Sequence, residues 1–383
     1  MTSSSLLPPN PSKLSERIKS WRPILRNASD VKAYADALFS SFDTGFAAAA
    51  HSATLSVGGQ TFMISSDLPE QIALARHALA DQPTKSAPSG HLLIAGSGEL
   101  SGLPSVPFWN DHSYNDYRLC QKFEPTDLRL YHYRERDFWQ FYDRASGRGV
   151  QMMASPISIP DWDPGSPLRN LLRWHLTNSE QGFVHAGTLG VAGRGLMLAG
   201  PGGSGKSGTV LAGLLAGMQS VGDDYILART PASGGVTVAP IFNTLKNDPS
   251  GLERLGVGLG TGIDLKELGY VNWQGKHQFT FQDLVQRDPV AHMTIEALCV
   301  PVVTGGKKTE ITSMPKREAF LALAQTGFKQ MPGDTRHSLK FCTELIKRLA
   351  TYRLSLGTEP AEIIDSLHSF LEKTTASGAE AET

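Results

Sequence analysis

Cysteine is scarce in this chain. Its 383 residues hold three, Cys120, Cys299 and Cys342, far apart. An odd, scattered set makes neither a zinc pattern nor a disulfide framework, which points to a reducing, cytoplasmic setting. Neither sign of charge is in excess: 36 Lys and Arg stand against 37 Asp and Glu, a formal net charge of −1. That leaves no electrostatic footprint for general binding to nucleic acid or to an anionic membrane. Long apolar runs are missing as well. No stretch approaches the ~18 residues of a membrane helix, and the start, MTSSSLLPPNPSKLSE, has no apolar signal core. His112, His132, His277, His292 and His337 show no metal-ligand spacing. What remains is an ordinary globular composition, 40% hydrophobic, at a length that favours two domains over one.

Glycine, by contrast, is plentiful at 38 residues. One octapeptide, Gly200-Pro201-Gly202-Gly203-Ser204-Gly205-Lys206-Ser207, satisfies the phosphate-loop pattern G-x-x-x-x-G-K-[ST] at every fixed position. A glycine-rich turn is the alternative, and the context decides against it. Leu196-Met197-Leu198-Ala199 before it reads as a buried strand, and Gly208 to Met218 after it reads as a helix. Strand, glycine loop and helix let backbone N–H groups converge on a polyphosphate at the positive end of the helix. Glycines at 202, 203 and 205 are expected to take positive φ and to leave no Cβ against the phosphates. Gly200, Ser204 and Gly208 complete the cradle. Lys206 would reach the β and γ oxygens of ATP, and the Ser207 hydroxyl would hold Mg²⁺.

About a helix-length downstream stands Val221-Gly222-Asp223-Asp224-Tyr225-Ile226. A strand returning after the helix would bring this carboxylate pair beside the loop. Neighbours on a strand point to opposite faces, so the two could divide metal binding and proton acceptance. Gly-Asp-Asp is equally good turn chemistry; its spacing from the glycine loop favours a site.

These landmarks, together with Val184-His185-Ala186-Gly187, resemble the catalytic core of the HPr serine kinase superfamily. Phosphoenolpyruvate carboxykinases share a related loop and Gly-Asp-Asp strand. Weaker likeness continues through Thr244-Leu245-Lys246 and Leu298 to Val303, as far as Tyr352-Arg353-Leu354, covering about residues 155–370. The resemblance implies an ATP- and Mg²⁺-dependent kinase acting on a hydroxyl, serine of a protein or peptide. It would place His185 near the γ-phosphate, where a hydrogen-bonded histidine at a strand start is the plainer alternative. It would make Lys246 a charge neutraliser, where a solvated lysine is the plainer alternative. The family's glycine-rich signature carries a metal-binding glutamate. Here Gly256-Val257-Gly258-Leu259-Gly260-Thr261-Gly262 has none, and Glu253 lies just before it. Reverse phosphorolysis and the usual protein substrate are therefore not expected. A small-molecule kinase, a carboxykinase-like enzyme and a non-catalytic ATP-binding regulator stay open, as does homo-oligomer formation. No basic substrate constellation of the carboxykinase type is visible.

The expected fold class is α/β: a P-loop core of mixed sheet with helices, over 154–373, preceded by a smaller α+β domain over 13–153 that could select the substrate. Disordered ends are expected at 1–12 and 374–383. In the first domain, Leu14 to Phe42 reads as helical, Gly58-Gly59 as a hairpin turn, Leu68 to Leu79 as a helix and His91 to Ala95 as a strand. Tyr131 to Tyr142 reads as a strand turning into Val150 to Met153. Its interleaved Tyr131-His132-Tyr133-Arg134-Glu135-Arg136 suggests a wet edge rather than a nucleic-acid surface. Ile157 to Pro167, with three prolines, suits a boundary, and Leu168 to Leu176 a helix.

Overall fold

The computed structural model describes residues 22–98, 100–110, 116–257, 268–330 and 332–381. These form a mixed α/β architecture with eleven α-helices. The first half is built on a six-stranded mixed sheet, ordered 51–57, 60–66, 90–95, 148–153, 138–143 and 128–133. His51–Val57 and Gln60–Ser66 turn at Gly58-Gly59, as expected. The helices Pro69–Ala78 and Arg169–Leu176 fall where the apolar spacing puts them.

Three expectations need correction. Tyr131 to Tyr142 is a hairpin rather than one strand: Leu128–Tyr133 and Phe138–Asp143 pair across a 3₁₀ turn, with Asp137 in the left-handed region. His132 is not on a wet edge but fully buried, stacked on Trp139 at 3.8 Å. The expected disordered tail from 374 instead continues the helix Pro360–Ala381. Residues 1–12, and the part of Leu14 to Phe42 before 22, lie outside the described residues; from there on, Ala28–Ser40 is helical.

The second half carries an eight-stranded mixed sheet. Its hub is the long strand Met293–Gly306, parallel to Arg194–Leu198 on one side and to Ala350–Gly357 on the other. Leu196 to Ala199 are fully buried, as a strand covered on both faces must be. A small sheet of Thr244–Asn247, His277–Thr280 and Tyr270–Val271 lies beside it.

The two halves share a core. One apolar cluster joins Phe62, Leu92 and Phe138 of the first sheet to Leu227, Ala239 and Ile241 of the second half. The helix Arg169–Leu176 packs within it, which is why Leu171, Leu172, Trp174 and Leu176 are all buried. Among the described residues no helix is long and apolar enough to cross a membrane. All three cysteines are buried, and none forms a disulfide among the described residues. Burial pushes the Cys299 and Cys342 thiols up to about 12, so neither is a ready nucleophile.

Candidate active site

One segment, residues 181–191, brings the two sequence landmarks together. Its first part, Gln181–His185, pairs antiparallel with Tyr225–Arg229, placing His185 opposite Tyr225. Its second part, Gly187–Val191, pairs antiparallel with Arg194–Leu198, placing Gly187 opposite Leu198 at the end of the loop strand. Between them Ala186 N–H donates to the Asp224 carbonyl (2.9 Å), and Thr188 N–H to the Gly222 carbonyl (3.0 Å). The aspartate bend is thereby tied beside the glycine loop. Gly187 is required there: a Cβ would meet Val210 of the loop helix at 2.7 Å. The carboxylates do not ride on a strand with alternating faces. Asp223 and Asp224 sit in the bend before Tyr225, and both face the same cavity.

The loop lies between Arg194–Leu198 and the helix Lys206–Leu215, which starts two residues earlier and ends three earlier than its apolar run suggests. Gly200, Gly203 and Gly205 take positive φ, but Gly202 does not. Gly205, at φ +101°, admits no side chain, because a Cβ would run into Leu356. Cβ atoms at Gly202 and Gly203 would meet nothing within 4 Å, so the loop's outer surface is open to the cavity. The helix has no side-chain cap and no acid in its first turn. Its leading N–H groups and positive dipole end therefore face the cavity unneutralised by any carboxylate of the helix's own first turn. Lys206 is buried and folds back, its Nζ donating to the carbonyls of Gly200 (2.6 Å) and Pro201 (3.0 Å). Burial pulls its pKa down, against the raising influence of Asp223 and Asp224.

The two aspartates differ sharply. Asp224 is gripped: its Oδ1 lies 2.5 Å from His185 Nε2 and its Oδ2 2.6 Å from Lys246 Nζ. Burial pushes Asp224 up, but Lys246 and then His185 more than offset it, holding the carboxyl well below the usual range. Lys246 is held above the ordinary lysine value: burial lowers it, and Asp224's charge and hydrogen bond overcome that. Lys246 is therefore ion-paired rather than solvated. Asp223 is buried, and among the described residues neither of its carboxylate oxygens is hydrogen-bonded. Burial, followed by the charge of Asp224, pushes it up to about 7. The Ser207 hydroxyl approaches closely enough to pull it slightly down, without closing a hydrogen bond to either oxygen. A buried carboxylate without donors is costly unless a cation meets it.

Gly202 to Ser207, Gly208, His185, Asp223, Asp224 and Lys246 all line a single cavity of about 830 Å³. Gly200 contributes its carbonyl to Lys206 rather than lining the space. Gly258 to Gly262 of the glycine-rich stretch lie outside the described residues. Glu253, in the short helix Pro249–Arg254, is exposed and does not line the cavity. Among the described residues no three His, Cys, Asp or Glu cluster as a metal cage. A Mg²⁺ held by one carboxylate, one hydroxyl and substrate phosphates needs no such cage.

Sequence reading missed the other end of the cavity, where Tyr117, Tyr131, Trp162, Arg169 and Tyr225 gather. These come from four separate segments; Tyr131 read only as part of a wet strand edge, and Tyr225, next to the aspartate pair, carried a positional hint. Behind them Asp163 is fully buried, and both of its oxygens lack hydrogen-bond partners among the described residues. Burial pushes Asp163 from 3.8 up to about 7, with the Arg169 charge opposing. Between those values the folded protein keeps a proton that the unfolded chain has released. This contribution to stability is therefore full below about pH 4 and is lost as pH rises toward 7. Urea unfolding at pH 5 and pH 8 should show a smaller loss across that interval for Asp163→Asn than for the parent protein. Equal losses would mean that Asp163 does not hold its proton.

Compared with protein-family models and with curated proteins, the chain has no match.

Proposed function

We propose that the protein is an ATP- and Mg²⁺-dependent kinase of HPr-kinase-like type, transferring the γ-phosphate to a hydroxyl, with serine of a protein or peptide as acceptor. The observation that carries this is the juxtaposition, in one cavity, of an uncapped helix N-terminus, a buried lysine and a buried carboxylate with no donors. Together they offer what a metal–triphosphate needs. The loop amides and Lys206 would take the phosphate oxygens, and Ser207 with Asp223 would hold the metal. Mg²⁺ would supply charge neutralisation for the phosphates. Lys206, now resting on loop carbonyls, has acceptors it can exchange for phosphate oxygens. Asp223, next to a cation, would ionise and lose the burial penalty it now carries.

Asp224 takes the acceptor side. His185 and Lys246 keep it ionised and fix its direction. In transfer, the acceptor oxygen forms a bond to the γ-phosphorus as the bond to the β–γ bridging oxygen breaks. ADP leaves, and the hydroxyl proton passes to the Asp224 carboxylate. A base with a depressed pKa is a weak proton acceptor, but a loose phosphoryl-transfer transition state asks little of it before bond formation. Its main contribution is orientation.

Mg-ATP at about 100-fold over its dissociation constant should stabilise the fold by roughly 2.7 kcal/mol. Lys206→Ala should remove most of that gain in a thermal-shift assay. No stabilisation of the parent protein by any nucleoside triphosphate would sink the assignment.

A further inference from the structure

The acceptor end of the cavity carries a cation that the transfer chemistry does not use. The Arg169 guanidinium lies 4.7 Å from the ring centre of Trp162 and 4.7 Å from that of Tyr225. Its Nη1 donates to the Tyr225 hydroxyl (2.8 Å), and its Nε is buried without a partner among the described residues. Arg169 makes no ion pair among the described residues, and its Nη2 makes no hydrogen bond there. Lys206 and Lys246 are committed to the loop carbonyls and to Asp224. Arg169 thus keeps a terminal nitrogen with no hydrogen bond among the described residues. Arg169 is also the first residue of the helix Arg169–Leu176, which has no side-chain cap. A cation there has the wrong sign for the helix dipole, so helix stability does not explain its position. The same dipole, with the guanidinium, favours an anion in front of it.

Tyr225 connects this cation to the chemistry. It follows Asp224 in sequence, and its ring stacks on His185 with centroids 5.1 Å apart. On the far side, Trp162 meets Tyr131 of the first half edge-on at 6.3 Å. Arg169 therefore stands about one tyrosine ring away from the Asp224–His185 pair, in an aromatic wall to which both halves contribute.

We propose that Arg169, held between Trp162 and Tyr225, recognises a carboxylate on the acceptor, lying a few bonds from the hydroxyl that receives phosphate. This rests on the kinase assignment above and narrows its substrate class. A carboxylate suits the position better than a second phosphate, because Lys246 nearby is already paired with Asp224 and one guanidinium nitrogen balances a single charge. The carboxylate can belong to a free hydroxy amino acid or to an acidic residue beside a serine in a peptide.

Two matched pairs of acceptors separate these sources: L-serine against L-serinamide, and a capped Ser-Glu peptide against its Ser-Gln counterpart. Binding of each to the full chain, loaded with Mg²⁺ and a non-hydrolysable ATP analogue, is measured by calorimetry. Phosphate transfer from ATP is measured separately. The carboxylate member of one pair should bind about 10²-fold more tightly than its amide, and that pair names the source. Arg169→Gln should abolish the preference and Arg169→Lys should keep part of it, while the thermal shift given by the ATP analogue persists in both. Equal binding within both pairs, or no binding by any of the four, overturns the inference. So does a preference that survives Arg169→Gln. Carboxylate preference without transfer would uphold Arg169's role and remove the kinase assignment. Transfer without preference would do the reverse.

Discussion

Asp224→Asn should leave nucleotide affinity close to that of the parent while phosphoryl transfer falls by about 10²–10⁴, the range a positioned base contributes. The reason lies in the two donors it serves. His185 Nε2 and Lys246 Nζ approach opposite oxygens of the carboxylate. An asparagine offers one acceptor, which Lys246 needs, and turns its N–H₂ on His185 Nε2; the imidazole must then change tautomer to accept, and Lys246 loses the charge it is paired with. The variant should therefore also lose stability, on the order of 1.5–3 kcal/mol for a charged hydrogen bond. Asp223→Asn should behave in the opposite sense without ligand. It removes a buried carboxylate that has no donors, so the nucleotide-free protein should gain stability at pH 8, while the dependence of turnover on Mg²⁺ weakens. Turnover and urea unfolding of both variants across a magnesium titration make the comparison. Near-parent turnover in Asp224→Asn would remove it from the chemistry. A loss of ligand-free stability in Asp223→Asn would mean that its carboxylate has a partner after all.

The strand, glycine loop and helix along one side of the cavity were legible because their pattern is local. A backbone cradle needs glycines at fixed spacing, and a strand and helix on either side show directly in the apolar pattern. The depth of the Asp pair was not legible. Gly222-Asp223-Asp224 satisfies turn chemistry equally well, and the bend it forms is indeed not strand. Only the pairing of residues 181–191 with two different strands carries that bend into the cavity. Lys246 could not be told from a solvated lysine, since its partner lies 22 positions away in sequence. The aromatic end of the cavity was the least readable. Trp162 and Arg169 look like boundary and helix-start residues until the first sheet, bearing Tyr131, packs against them. Composition likewise suggested separable halves, whereas Phe62 and Phe138 share one core with Leu227 and Ile241. Long-range packing of this kind leaves no periodic trace in either segment. The tail from 374 failed for a related reason: small, polar residues look disordered alone, but here they extend a helix already anchored by Ile363, Ile364, Leu367 and Leu371.

That shared construction makes Asp334 the residue whose loss should cost the fold most. It sits buried in the left-handed region at φ +59°, just before the helix Thr335–Arg348. Three arginines converge on its carboxylate: Arg129 at 2.7 Å, Arg144 at 3.7 Å and Arg173 at 4.0 Å. Arg129 and Arg144 belong to the first half, and Arg173 to the buried helix. Burial pulls Arg173 down to about 10 even with Asp334 raising it, a measure of how poorly this place tolerates unpaired positive charge. Carbonyls take part of the load, Arg173 donating to Gly333 and Pro332 and Arg129 to Phe123, Thr126 and Leu128. Asp334→Ala removes the anion these arginines share and leaves the guanidiniums facing each other. Breaking a buried pair in this way costs about 3–5 kcal/mol, and alanine fits the left-handed backbone poorly. Asp334→Asn keeps the backbone preference and the shape but not the charge, so its loss should be smaller. The damage should also reach function. Pro332 lines the cavity, and Tyr117 bonds Thr335 Oγ1 through its hydroxyl at 3.2 Å. Loosening residues 332–335 should therefore raise the acceptor KM more than the KM for ATP, whose loop is anchored elsewhere. Urea unfolding of the two variants, with both KM values, tests this. If Asp334→Ala unfolds like the parent protein, the arginines are satisfied by carbonyls alone and the cluster does not join the halves.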